Sequence, residues 1–255
     1  MKQKYIFLWA VILITTSLSA QKADKITIAA AADLKFAMDE IVTEFKKNNS
    51  ESIVEVVYGS SGKANTQIVQ GAPFDMFFCA DIKYPLDLHK KGLCATEVKT
   101  YAYGRIVLWS STLDSSKLTL TNLTDPSISR IAIANPEHAP YGERAREALK
   151  SLGLWDKVEK KLVYGENIAQ AAQFVVTGNV QVGIIALSIA QNPEMLKNGQ
   201  YTFISDTLHE PLEQGYVILK RAADNKLASR FADFMETDLS RNIMKKYGFV
   251  LPDKK

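Results

Sequence analysis

Residues 58–63 (Tyr-Gly-Ser-Ser-Gly-Lys) form the first group of side chains that could do chemistry, directly after a run rich in β-branched residues. Ser60 and Ser61 carry hydroxyl donors, and the glycines beside them allow a ligand to approach the backbone closely. Serine hydroxyls and backbone N–H groups at the start of a helix can bind an anion without a formal positive charge. The same serines could instead cap the helix. The loop by itself favours capping.

Two catalytic motifs match this loop only in part. A phosphate-binding P-loop requires a glycine five residues before Gly62, and that position is Val57. Ser60 and Lys63 have the S-x-x-K spacing of a β-lactamase-like nucleophile, but the accompanying Ser-Asp-Asn and Lys-Thr-Gly motifs are absent. A serine hydrolase is therefore a distant alternative, and we expect a protein that is not an enzyme.

A second polar segment, residues 135–142, has two prolines ahead of a predicted helix. The prolines stiffen the approach to that helix, and Tyr141 brings a phenol O–H close to its start. Without other observations, Tyr141 is better interpreted as a half-buried packing residue. His138 lies in the same segment, but no nucleophile is identifiable beside it, so a structural role is favoured for it.

Four strand-to-helix units position these loops. The predicted strands are residues 25–32, 52–58, 130–134 and 162–164, and helices follow from about residues 34, 62, 142 and 168. Gly71, Gly153 and Gly178 are placed to end three of the helices, and Asn167 is placed to cap the last one. Strands that alternate with helices predict an α/β fold with mostly parallel sheets. In such sheets ligands bind at the carboxyl ends of the strands.

The first 20 residues have the three-part pattern of a secretory signal peptide. Lysines precede an apolar run at residues 5–14, which is shorter than the roughly 20 residues that a membrane span needs. Cleavage after Ser19 and cleavage after Ala20 both fit. No cysteine near this point could take a lipid anchor, so we expect a soluble periplasmic protein.

The charge balance argues against a nucleic-acid partner. The chain has 31 basic and 28 acidic side chains, and loss of residues 1–20 would remove two lysines and no acid. The resulting net charge of about +1 lacks the basic surplus of a nucleic-acid binder.

The cysteines and histidines leave little basis for a metal site. Cys79 and Cys94 could form a disulfide in an oxidising compartment, although their spacing does not decide this. A zinc site needs about four close ligands, and the nearest further candidate is His89. We expect no site for a bare metal cation and no cofactor.

Several further stretches have a recognisable order and spacing. They are residues 30–38 (AAADLKFAM), 59–62 (GSSG), 71–75 (GAPFD) with 80–81 (AD), 135–142 (NPEHAPYG), 183–188 (GIIALS) and 246–249 (KYGF). Together they resemble the periplasmic molybdate-binding proteins of molybdate ABC transporters, over nearly all of the chain after residue 20. The resemblance implies a type II periplasmic-binding fold, whose two α/β lobes close over a naked tetrahedral oxyanion.

The resemblance also implies how the molecule is divided and used. Lobe 1 is expected to contain residues 21–105 and 216–255, and lobe 2 residues 106–215. Hinge closure would trap molybdate, and tungstate as well, among neutral hydrogen-bond donors. The closed form, a monomer, would then deliver its ligand to an ABC permease.

Three of the family's donor positions fall on polar groups of this chain. Ser61 matches a hydroxyl donor in the second strand-to-helix turn, and Ile168 matches a backbone N–H donor at the start of the fourth helix. Tyr141 matches the donor position of the third turn. The family's usual tyrosine nearer the C-terminus is Ala186 here, so Tyr141 is expected to supply the phenol.

The first turn departs from the family pattern, because Asp33 stands where a serine donor is usual. An ionised carboxylate cannot donate a hydrogen bond, and it repels a dianion at close range. In the account we prefer, Asp33 turns away to cap its own helix, and the N–H groups of Ala32 and Asp33 face the ligand. Alternatively, Asp33 accepts a proton from a protonated ligand such as hydrogen phosphate. A binding protein for phosphate or another small oxyanion is therefore the main alternative.

Overall fold

The computed structural model describes residues 24–114 and 117–253, so the predicted signal peptide lies outside the described residues. The strands of the described part are β1 (Lys25–Ala31), β2 (Ile53–Gly59), β3 (Met76–Cys79), β4 (Lys99–Gly104), β5 (Ile106–Ser110), β6 (Ile131–Ala134), β7 (Leu162–Gly165), β8 (Val182–Ala186), β9 (Gln200–Phe203) and β10 (Leu212–Ile218). Its α-helices are α1 (Lys35–Lys47), α2 (Ser61–Val69), α3 (Lys83–Lys90), α4 (Pro140–Ser151), α5 (Trp155–Val158), α6 (Ile168–Val176), α7 (Leu187–Ala190), α8 (Pro193–Asn198), α9 (Lys226–Met235) and α10 (Asp238–Lys246).

The strands form two five-stranded sheets, with spatial orders β2-β1-β3-β10-β4 and β7-β6-β8-β5-β9. In the first sheet, β1 is parallel to β2 and β3, and β10 is antiparallel to β3 and β4. The second sheet repeats this arrangement, with β6 parallel to β7 and β8 and with β5 antiparallel to β8 and β9. We call the parts built on these sheets lobe 1 and lobe 2. The predicted two-lobed α/β fold is confirmed.

The chain crosses between the sheets twice. Only Arg105 separates β4 of the first sheet from β5 of the second, and residues 204–211 lead from β9 back to β10. The residues of β10 from Leu212 onward pair with β4, so residues 212–215 belong to the first sheet. The proposed lobe boundaries at residues 105 and 216 otherwise stay a prediction.

The four predicted strand-to-helix units form with their expected apolar faces. Leu34, Met38, Ile41 and Phe45 are all buried against the first sheet. Alternate residues of a strand point to opposite faces, so Ile28 packs in the same cluster, whereas Ala29 packs on the other face with α2. Both faces of the strand are therefore covered, as parallel sheets require.

The helices end at the predicted glycines, but the start of α4 differs from the prediction. Gly71 and Gly153 adopt φ values of +88° and +64°, the left-handed conformation that ends a helix. Helix α4 begins at Pro140, two residues earlier than expected, because proline suits the first helical position, where no N–H is needed. Tyr141 therefore lies in the first turn of α4.

Within the ranges that the structure describes, no helix is both long enough and apolar enough to cross a membrane.

Candidate functional site

A small cavity lies between the sheets, at the carboxyl ends of their parallel strands. The five residues proposed from the sequence all line it: Ala32, Asp33, Ser61, Tyr141 and Ile168. Each is at most 3% exposed, and the free space is about 190 Å³ including the opening to solvent. Four separate strand-to-helix turns thus meet at one place, and the binding roles of these residues stay a prediction.

Three helices begin at this cavity, namely α2 at Ser61, α4 at Pro140 and α6 at Ile168. The first N–H groups of a helix have no partner inside it, and its N-terminal end carries partial positive charge. In α6 the side chain of Asn167 accepts the N–H of Gln170 at 3.0 Å, which is the predicted cap. The arrangement concentrates hydrogen-bond donors on a space that suits a small anion.

Neither serine of the loop caps α2. Ser60 occupies the cap position without a capping hydrogen bond, and its Oγ lies 2.9 Å from Nδ1 of His138. Ser61 Oγ accepts the N–H of Ala80 at 3.0 Å. Because a serine hydroxyl also carries one hydrogen, Ser61 can donate while it accepts. The capping interpretation is therefore wrong for both residues.

Asp33 is the centre of a buried polar network. Its Oδ2 accepts the O–H of Tyr141 at 2.9 Å and Nε2–H of Gln214 at 2.8 Å. Tyr101 O–H donates to Oε1 of the same glutamine at 2.7 Å. Oδ1 of Asp33 is buried without a hydrogen-bond partner among the described residues.

The expectation that Asp33 turns away to cap its own helix is wrong. Residues Ala32–Leu34 form a 3-10 turn that has no side-chain capping hydrogen bond. The carboxyl group faces Tyr141 instead, across the cleft, because burial leaves its Oδ2 in need of donors. Burial raises the pKa of Asp33 to about 6, against the opposing effect of the hydrogen bonds from Gln214 and Tyr141. Burial also holds the pKa of Tyr141 well above its usual range, so this phenol keeps its proton.

Gln214 was missed by the sequence reasoning. It is fully buried in β10 and contacts both Asp33 and Tyr141, although it does not belong to any strand-to-helix turn. Strand periodicity places it on the same face as Leu212 and Tyr216. A polar residue at an inward position of an apolar strand is the signal that could have found it.

The cavity lining contains no cation. Among the described residues that line it, none is lysine, arginine or histidine. Cations close by are paired with carboxylates: Lys63 with Glu166, and Arg144 with Asp81 and Glu147. The donors available to an anion are therefore neutral hydroxyl and N–H groups.

Several contacts join the two lobes around the cavity. Arg144 of lobe 2 bonds Asp81 of lobe 1 at 3.1 Å, with both side chains below 10% exposure. Ser188 Oγ donates to the carbonyl of Asp33 at 2.8 Å, and the N–H of Gly62 donates to the carbonyl of His138 at 2.9 Å. The cleft is closed in this structure.

Other sequence expectations concern residues around this site. Cys79 and Cys94 are free thiols, so no disulfide joins them. The described residues contain no group of three or more histidine, cysteine, aspartate or glutamate side chains that could hold a metal ion. Lys63 pairs with Glu166, and Ser60 pairs with His138, so the S-x-x-K residues do not pair with each other. Ala186, at the end of β8, is fully buried.

Comparison with known proteins places these features in a family. Residues 26–250 match the family model described as bacterial extracellular solute-binding protein. The chain is 35% identical over 233 residues to the molybdate-binding protein ModA of Azotobacter vinelandii, covering 91% of this chain and 92% of that one. It is also 35% identical over 232 residues to the molybdate-binding protein ModA of Rhodobacter capsulatus, covering 89% of each.

Solved structures agree with the sequence relatives. The periplasmic molybdate-binding protein of Azotobacter vinelandii superposes with a TM-score of 0.84 at 31% identity, covering 89% of this chain and 100% of that one. The sulfate-binding protein SubI of Mycobacterium tuberculosis has a TM-score of 0.75 at 16% identity, covering 90% of this chain and 87% of that one, a likeness of fold alone.

Proposed function

This chain belongs to the bacterial extracellular solute-binding proteins. Because the two relatives named above, which it matches along about nine-tenths of its length, are molybdate-binding proteins, we propose that it captures molybdate between its lobes. The observation that carries the proposal is the cavity itself, where the starts of three helices and neutral donors converge without a cation. Such a lining suits a fully deprotonated dianion, since it supplies neutral donors from several elements of both lobes. Tungstate has the same charge and shape, so it is expected to bind as well.

In this proposal each lobe contributes hydrogen-bond donors to the ligand. From lobe 1, Ser61 supplies its hydroxyl, and Ala32 and Asp33 supply backbone N–H groups. From lobe 2, Ile168 supplies its N–H and Tyr141 its phenol. Since the single O–H of Tyr141 is donated to Asp33 here, it must turn to the oxyanion when the ligand binds.

The proposed transport role follows from the two-lobed shape. Closure of a hinge at the two crossings, at Arg105 and residues 204–211, would bury the oxyanion and create the face that a membrane permease recognises. The protein would act as a monomer in the periplasm after loss of residues 1–20. It would deliver the ion to an ABC permease without making or breaking a bond.

Calorimetric titration of residues 21–255 with molybdate, tungstate, sulfate and phosphate, each at neutral pH and fixed salt, tests the proposal. We expect tight binding of molybdate and tungstate and none of phosphate. Loss of the Ser61 hydroxyl in Ser61→Ala removes a donor to a charged ligand and should weaken molybdate binding about tenfold to hundredfold. Ser229→Ala on the exposed face of α9 is the matched control and should bind normally.

A binding protein for phosphate or another small oxyanion is the second candidate. The unpartnered Oδ1 of Asp33 favours it, because a protonated ligand oxygen could donate to that atom. Tight phosphate binding in the same titration, with no response to molybdate, would select this candidate and reject the first.

A further inference from the structure

We propose that Asp33 binds the oxyanion as a neutral carboxylic acid, with its Oδ1–H donating to the ligand, so that capture of a dianion takes up one proton. This inference rests on the proposed function. It assigns Asp33 the donor role that a serine hydroxyl would otherwise have, and it makes the affinity depend on pH.

The hydrogen-bond pattern around the carboxyl group is that of an acid. Both side-chain donors, from Tyr141 and Gln214, point at Oδ2, and the backbone N–H groups of Asp33 and Leu34 lie close enough to the carboxyl group to lower its pKa. Oδ1 is buried at the cavity without a hydrogen-bond partner among the described residues. In a neutral carboxyl group one oxygen only accepts, and the other carries a hydrogen that needs an acceptor. An oxyanion in the cavity would be that acceptor.

The charge of the cavity also favours a neutral, protonated Asp33 when a dianion is bound. Asp33 is 1% exposed, and no ion pair in the described part of the chain includes it. An ionised Asp33 would add its charge to that of a dianion in a space shielded from water, where repulsion is strong. Arg144 and Lys63, two cations close to the cavity, are already paired with carboxylates. Protonation of Asp33 removes the repulsion and provides a donor at the same time.

The titratable groups that face Asp33 from the surrounding strands and helix are themselves neutral. Tyr141 of α4, Tyr101 of β4 and Cys79 of β3 all have pKa values raised by burial, that of Cys79 to about 12. Burial likewise raises the pKa of Asp33 to about 6, close enough to neutrality for a ligand to shift its protonation. None of these neighbours can supply the missing positive charge.

The remaining elements packed against Asp33 add no competing charge. Helices α6 and α7 contain no titratable side chain between their first and last residues. On the side of β2 and α1, Tyr58 and Lys35 both bond Asp39. His138, before α4, contacts Ser60, and burial lowers the pKa of its imidazole. Proton uptake by His138 must therefore be distinguished from proton uptake by Asp33.

Proton uptake can be counted directly. Titration of the protein with sodium molybdate at pH 7.5, in buffers of different ionisation enthalpy, gives the number of protons bound per ion. We expect about one for the wild-type protein, and an affinity that falls about tenfold per pH unit between pH 7 and 8.5. Asp33→Asn keeps an oxygen for Gln214, and for Tyr141 before the ligand binds, and presents an N–H₂ donor to the ligand. It should take up no proton and bind with little pH dependence.

The variant His138→Gln tests whether Asp33 or His138 takes up the proton. It should keep the uptake of one proton if Asp33 is the site, and loss of the uptake in this variant would overturn the inference. Tight molybdate binding by the wild-type protein with no proton uptake would overturn it too, while leaving the proposed function intact. Absence of molybdate binding would instead reject the proposed function. If Asp33→Asn fails to fold, the number of protons taken up per molybdate ion is compared between Asp33→Ser and the wild-type protein, and this comparison shows whether Asp33 is the site of uptake.

Discussion

At the residue scale, the chemistry of the cavity is set by buried polar side chains that come from distant parts of the chain. Asp33 precedes α1, Tyr141 begins α4, and Gln214 lies in β10, yet their polar atoms are within 3.0 Å of one another. Each satisfies a group that burial would otherwise leave without a partner. The network therefore links the stability of the protein to the protonation of Asp33.

Asp33→Asn should stabilise the protein at high pH and not at low pH. The pKa of Asp33 is raised from 3.8 to about 6, so the unfolded chain loses its proton first and stability falls as the pH rises through this window. At pH 8 the amide of the Asp33→Asn variant avoids the cost of a buried ionised carboxyl group. For a pKa shift of this size, the free energy of unfolding should rise by about 3 kcal/mol. Denaturant unfolding at pH 3.5 and pH 8 measures the difference.

Asp156→Asn in α5 is the matched control, because this aspartate is exposed. It should change stability equally little at both pH values. A gain for Asp33→Asn that is the same at pH 3.5 and pH 8 would contradict a raised pKa.

At the element scale, the four strand-to-helix units and their apolar faces could be predicted from the sequence. The spacing of apolar residues and the glycines that end helices are both local features of the chain. Residues such as Leu34 and Ile41 follow helical spacing, and glycines end the helices. The direction of the Asp33 side chain could not be predicted, since it depends on Tyr141, 108 positions away. Gln214 was missed for the same reason, because its partners lie outside its own strand.

Gly142→Ala should disturb the start of α4. An added Cβ at Gly142 would meet the backbone of Ala134 and Pro136 too closely, so the helix must shift away from the end of β6. We expect a loss of about 1–3 kcal/mol in stability and weaker molybdate binding, because Tyr141 is the neighbouring residue. Thermal unfolding and titration measure the two effects.

Gly59→Ala is the comparison for stability, since it also lies at a strand-to-helix turn but an added Cβ meets nothing within 4 Å. Its unfolding should resemble that of the wild-type protein. If Gly142→Ala and Gly59→Ala unfold at the same temperature, the close contacts around Gly142 do not contribute to stability.

At the scale of the whole molecule, closure depends on contacts that cross the cleft. The buried pair of Arg144 and Asp81 joins the lobes beside the cavity, and Lys83 and Glu143 form a more exposed pair next to it at 2.7 Å. Without Arg144, the buried carboxylate of Asp81 keeps only the more exposed Lys83, at 3.1 Å, as a cationic partner, so part of its charge is left uncompensated in the closed cleft. The closed form should therefore be disfavoured relative to the open form when Arg144 is replaced.

Arg144→Gln should weaken molybdate binding about tenfold and speed its release, since part of the binding free energy must then drive closure. Stopped-flow release and small-angle scattering measure the rate and the more open average shape. Arg146→Gln on the same helix is the control, because Arg146 pairs with Glu137 within lobe 2. If both variants release the ion at the wild-type rate, the Arg144 contact does not control closure.

The position of β10 also constrains the order in which the molecule can be built. Lobe 2 is encoded by one uninterrupted segment, from β5 to β9, whereas β10 lies between β3 and β4 in the sheet of lobe 1. Until the chain as far as Ile218 is available, β4 has no neighbouring strand in its sheet. Contacts that span such long separations form late because of their loop-closure entropy. Lobe 2 can thus complete its fold while the sheet of lobe 1 still lacks β10, the strand that joins β4 to β3.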